Sequence, residues 1–240
     1  VSQEAHASAL AFELSSGGQR IVVNCGLPAT NRESWRQLAR ATAAHSTVTF
    51  NDTSSCQFRS SGMFRSLIGI PIVSGPQHIS IAREDRDDDI VLRASHDGYA
   101  EKFGIVHQRS LMLTAGTRRL DGEDAFLPAQ GKALPPGAKE EFAIRFHLHP
   151  AVKANRLTDG HGVMLMLPNR EVWNFDAHED RVELEESVYL AGAEGPRRTL
   201  QIVIYGRARQ VPRVHWTFSH VTPAQAAARR GRGEEPELPL

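Results

Sequence analysis

Hydrophobic and polar positions alternate along most of this 240-residue chain. From Glu141 to His149, Phe142, Ile144, Phe146 and Leu148 fall on one side, and Ala143, Arg145, His147 and His149 on the other. A two-residue period is the mark of a half-buried β-strand. Similar runs are Ile79 to Arg83, Ile90 to His96, Ile105 to Thr114, Gly162 to Leu167, Glu171 to Asp176, Arg181 to Tyr189, Thr199 to Tyr205 and Val214 to His220, most of them bounded by Gly, Pro, Asn or Asp. Near the start, Ala9 to Glu13 and Gln19 to Asn24 flank Ser15-Ser16-Gly17-Gly18, a hairpin signal. Trp35, Leu38, Ala39 and Thr42 recur at helical spacing within Ser34 to Ala44, the best helical stretch, and Ser46 to Phe50 is again strand-like. About a dozen strands with one short helix predict an all-β fold, a large antiparallel β-sandwich or supersandwich. Residues 1–221 are expected to form it. Residues 222–240 lack apolar periodicity and are expected to be a disordered tail.

Composition narrows the function. Lys plus Arg and Asp plus Glu each total 28, so no charge excess points to nucleic acid or an anionic membrane. No apolar run nears the roughly 18 residues of a membrane helix. No charged and apolar leader precedes the first strand-like run, and the chain opens on Val1, which reads as a fragment of a longer protein. Cys25 and Cys56, the only cysteines, are either two buried thiols or, in an exported protein, a disulfide. A bridge would close a loop of about 30 residues and contribute roughly 3–4 kcal/mol.

Candidate chemistry centres on histidine. His6 opens the first strand region, Asn24 ends the second strand and His45 follows the helix, so the three side chains can converge on one rim of a sandwich. Two His with one oxygen donor can hold zinc, although an uncharged Asn is a poor ligand. His147 and His149 lie two apart on one strand and read as hydrogen-bonded surface or groove side chains. His96-Asp97-Gly98-Tyr99 reads as a turn, with a catalytic Asp–His pair as the sharper alternative. The run Arg83 to Asp89 reads as a solvated turn; it lacks the spaced ligands of a calcium loop. Trp35, Trp173, Tyr189, Tyr205 and Trp216 read as core before sugar-stacking platforms.

Three stretches together resemble a known family: His6 to Glu13, Gly17 to Gly26, and Ala43-Ala44-His45-Ser46-Thr47-Val48. Ser95 to Tyr99, Val106-His107-Gln108-Arg109, Phe146 to Pro150, Trp173-Asn174-Phe175 and Glu185 to Tyr189 continue the series in order. The chain from about residue 4 to 220 is similar to the C-terminal domain of heparinase II/III-like polysaccharide lyases. The resemblance implies the sandwich half of a periplasmic or cell-envelope enzyme, whose partner is an N-terminal α/α toroid carrying most catalytic groups. It implies an acidic polysaccharide substrate, cleaved by β-elimination after neutralisation of the uronate. It also implies a structural zinc at His6, Asn24 and His45, and an active-site position at Glu4. Glu4, Ser8 and Asn24 depart from the family's His, Asp and Asp. Those departures raise the alternative of a non-catalytic carbohydrate-binding or scaffolding module with an eroded site. A metal-dependent sandwich enzyme such as a cupin lacks its compact His-x-His, Glu and His set here.

Overall fold

A computed structural model describes residues 4–29, 33–59, 70–114, 116–129 and 140–222. Of the tail expected over residues 222–240, residues 223–240 lie outside the described residues. In chain order the elements are β1 (Leu14–Ser16), β2 (Gln19–Val23), α1 (Glu33–Arg40), β3 (Val48–Phe50), β4 (Gln57–Phe58), β5 (Ile72–Ser74), β6 (Ile79–Arg86), β7 (Asp89–Tyr99), α2 (Ala100–Phe103), β8 (Ile105–Thr114) and β9 (Arg119–Pro128). Then follow β10 (Glu141–Leu148), β11 (Lys153–Arg156), β12 (Gly162–Met166), β13 (Val172–Asp176), β14 (Val182–Tyr189), β15 (Arg197–Arg207) and β16 (Arg213–His220). A 3₁₀ turn, Thr42–Ala44, continues α1, so the helical stretch is a helix plus a tighter turn.

Two large antiparallel sheets form the sandwich. The first runs β1-β2-β10-β15-β14, with β3 also on β10; the second runs β11-β12-β13-β16-β9-β8-β7-β6. The alternation in β10 sends Phe142, Ile144, Phe146 and Leu148 into the core between them. Its opposite face is also covered, leaving Arg145 and His147 less than a tenth exposed. Phe146 meets Trp216 edge-on at 4.8 Å and Phe175 packs on Phe218 at 4.8 Å. Such aromatic pairs add about 0.5–1.5 kcal/mol each beyond their buried area. Trp173, Tyr189 and Trp216 are buried, as their strand placement implied. Tyr205 is the exception: it is 49% exposed and donates its hydroxyl to Glu185.

Several expected elements shift. The opening strand begins at Leu14 rather than Ala9, because residues 8–11 turn back, with the Ala11 N–H on the Ser8 carbonyl. Only Asp87 and Asp88 form the turn inside the Arg83–Asp89 run. The rest belongs to a long hairpin whose acids pair with Arg83 and Arg86. His96 to Tyr99 is the end of β7 with a register shift, not a free turn. β9 carries Asp121, Glu123 and Asp124 around Gly122, a composition that hides a strand. A Cβ at Gly122 would lie 2.2 Å from the Trp216 ring, so close packing requires the glycine. Among the described residues no helix is long and apolar enough to cross a membrane.

Candidate functional site

The leading segment, the end of β2 and the turn after α1 lie side by side. The Ala7 N–H donates to the Arg40 carbonyl, the Thr42 hydroxyl to the Ala7 carbonyl, and the Thr47 hydroxyl to the Ala9 carbonyl. The Cys25 N–H reaches the Ala44 carbonyl, and the Ser46 hydroxyl the Val23 carbonyl. These bonds bring His6 and His45 together, with His6 Nδ1 3.2 Å from His45 Nε2 and the rings tilted by 31°. Burial lowers the pKa of both imidazoles. Arg40 adds to the effect at His6, and His6 and His147 take His45 down to about 4. Both rings are therefore neutral near pH 7.

Asn24 bonds the residue that follows His45, and both ends of its amide are engaged. Its Oδ1 accepts the Ser46 N–H at 2.9 Å, and its Nδ2 donates to Glu13 Oε1 at 3.2 Å. Among the described residues no group of three or more His, Cys, Asp or Glu is placed to hold a metal ion. The donor set at hand is two neutral imidazoles and one amide engaged at both ends. It offers no anionic ligand to offset the charge of Zn²⁺. Glu4 is far from enclosed: its side chain is 86% exposed and faces Arg36 across 3.7 Å. The Ser8 carbonyl closes a turn, and its side chain lies at the exposed surface.

His147 is a buried member of the same neighbourhood, not a groove side chain. Its Nε2 faces the Ala43 carbonyl at 3.0 Å and its Nδ1 the Ser187 hydroxyl at 2.8 Å, while Cys25 Sγ lies 3.6 Å from Nδ1. Burial pushes the Cys25 thiol up to about 11 and His147 down to about 4. A protonated thiol is a poor nucleophile, so this Cys–His contact is structural. His149 sits half-buried against Tyr189. Cys25 and Cys56 are free, so the disulfide alternative is not realised.

Two arrangements escaped sequence reasoning. Asp97 pairs with His78 at 2.8 Å rather than with its neighbour His96, and it also takes the N–H groups of Gln77 and His78. This loop lines a cavity of about 810 Å³ with Ser54, Ser74 and Lys102. In the interior, Asp124 is fully buried and accepts from Arg109 Nε and Nη2 at 2.8 and 2.9 Å, from His107 at 2.6 Å and from Trp216 at 2.9 Å. Arg109 also donates to the Leu10 and Ser46 carbonyls, tying the second sheet to the leading segment and to the stretch before β3. The spacing of His107 and Arg109 hinted at one inward face, but their acidic partner lay on an unrecognised strand.

The fold class is thus a large sandwich of two unequal antiparallel sheets, with its polar cluster where the leading segment meets the turn after the helix. The chain belongs to the heparinase II/III-like C-terminal family, whose model matches residues 1–217. It is similar in fold to heparan sulfate lyase HepC from Pedobacter heparinus, with a TM-score of 0.67, 13% identity, and coverage of 90% of this chain and 31% of that one. A crystal structure of heparinase III is similar at TM-score 0.63 and 11% identity, covering 90% of this chain and 30% of that one. FtsZ-localized protein C of Caulobacter vibrioides is 30% identical over 215 residues, 87% of this chain and 36% of the relative. The chain thus spans about a third of the length of these relatives.

Proposed function

We propose that this chain is the non-catalytic half of a protein built for β-elimination on uronic-acid-containing polysaccharide, and that turnover requires an N-terminal α/α toroid. Elimination needs the uronate neutralised, a base for the C5 proton and an acid for the leaving oxygen. Glu4 is the observation that carries the reading. It occupies the position of the family's active-site histidine, yet it is an exposed carboxylate beside Arg36. A negative side chain there repels a uronate instead of neutralising it. The role left to the chain is to close one side of an acidic-polysaccharide cleft. An exported location, periplasm or cell envelope, follows from that substrate.

A second reading, a carbohydrate-binding or scaffolding module, is favoured by one relative's name, which places that protein at FtsZ. Glu4, Ser8 and Asn24 support it equally. Both readings are tested by incubating the isolated chain and its full-length parent with heparin, heparan sulfate, alginate and hyaluronan while following unsaturated-uronate absorbance. The isolated chain is expected to be inactive, and steady turnover by it would overturn the first reading. A parent that is inactive but co-localises with FtsZ establishes the second.

A further inference from the structure

We infer that this sandwich has exchanged a metal centre for a hydrogen-bonded clasp, with Asn24 as the residue that makes the exchange. The inference rests on the same residues as the proposed function but not on the presence or absence of lyase activity. The His6–His45 separation of 3.2 Å is silent by itself. Two nitrogens bound tetrahedrally to one zinc at about 2.0–2.1 Å would lie roughly 3.4 Å apart, close to a hydrogen-bond length. The third position decides.

Glu13 Oε1 accepts both the backbone N–H and the side-chain Nδ2 of Asn24, each at 3.2 Å. On its other side Asn24 Oδ1 takes the Ser46 N–H. A neutral amide can donate to Glu13 and accept from Ser46 at once, whereas an ionised carboxylate can only accept. An aspartate at position 24 would accept from Ser46 but set its second oxygen against the Glu13 carboxylate. Glu13 and Asn24 therefore define each other, and the carboxylate that could have strengthened zinc binding is turned onto the Asn24 amide instead of the histidine pair.

The protons follow from the same logic. Among the described residues, His45 Nδ1 is buried with no hydrogen-bond partner. If His6 donated through Nδ1, the neutral His45 would carry its own proton on that unpartnered nitrogen. An unpaired buried N–H costs more than an unpaired lone pair beside it. So His45 Nε2–H donates to His6 Nδ1, and His45 Nδ1 keeps a lone pair. This bond and the Glu13–Asn24–Ser46 bridge tie the leading segment, the end of β2 and the turn after α1, with no cation among them.

Purified without chelator, the full chain is expected to carry far less than one zinc, and its Tm is expected to be unchanged by EDTA or added zinc. The double variant Glu13→Gln with Asn24→Asp reverses the direction of the bridge and moves the charge to position 24. It is expected to bind one zinc per chain and to gain roughly 5–10 °C in Tm at about a hundredfold excess over Kd. Stoichiometric zinc in the unaltered chain, or a Tm that falls on chelation, overturns the inference whether or not the variant folds. So does a variant with unchanged far-UV dichroism that takes up no zinc.

Discussion

Replacing Asp124 by Asn removes one negative charge from the interior and leaves Arg109, 2% exposed, without its partner. Asp124 now accepts four hydrogen bonds, from Arg109 twice and from His107 and Trp216 once each. An Asn has one acceptor oxygen, and its NH₂ would point at donors. Breaking a buried ion pair from one side costs about 3–5 kcal/mol, because the surviving charge stays desolvated. For a chain of this size that corresponds to a Tm lower by roughly 6–20 °C. Asp121→Asn, in the partly exposed pair with Arg119, is the control and should cost about 0–1 kcal/mol. Thermal and urea unfolding followed by circular dichroism measure both. A loss at Asp124 no larger than that at Asp121 would refute the view that this charged cluster braces the second sheet against the leading segment.

Stability should fall with acid. His45 and His147 have folded pKa values near 4 and His96 near 3, against an ordinary 6.5, mainly through burial. Below pH 6.5 the unfolded chain takes up protons that the folded chain refuses, so the contribution present above 6.5 is lost as pH drops toward 4. A Tm that stays flat from pH 7 to pH 5 would contradict this. Gly122→Ala forces a methyl into the Trp216 ring and should destabilise by about 1–3 kcal/mol, read as a shift in urea midpoint; a neutral result would show that the ring can move. Both cysteines should titrate as thiols in the denatured, unreduced protein. In the folded protein Cys56 should react with a disulfide reagent well before buried Cys25, and equal rates would count against that burial.

β10 and β16 were readable because apolar core positions alternate with polar ones along them, even though in β10 the second face is covered as well. β9 was not, since Asp121, Glu123 and Asp124 look like turn chemistry until Arg109 on the neighbouring strand gives Asp124 a buried partner. The same holds for Arg83 to Asp89, where charges sit within an edge hairpin and pair along it. His6 and His45 could be brought together from their places at the strand end and after the helix. The engagement of Asn24 with Glu13 and Ser46 could not, because it depends on a side-chain bridge spanning 11 residues one way and 22 the other. His147 looked solvent-facing by period alone. The 3₁₀ turn, through the Ala43 carbonyl, covers that face.

A crystal of the chain grown with excess zinc, with anomalous differences collected at the zinc edge, tests a metal-free sandwich most directly. The expected map has no peak between His6 Nδ1 and His45 Nε2, and it keeps the Asn24 amide on Glu13 and Ser46. A strong peak bonded to both imidazoles, with Asn24 turned toward it, would contradict the clasp and restore a metal centre to this domain.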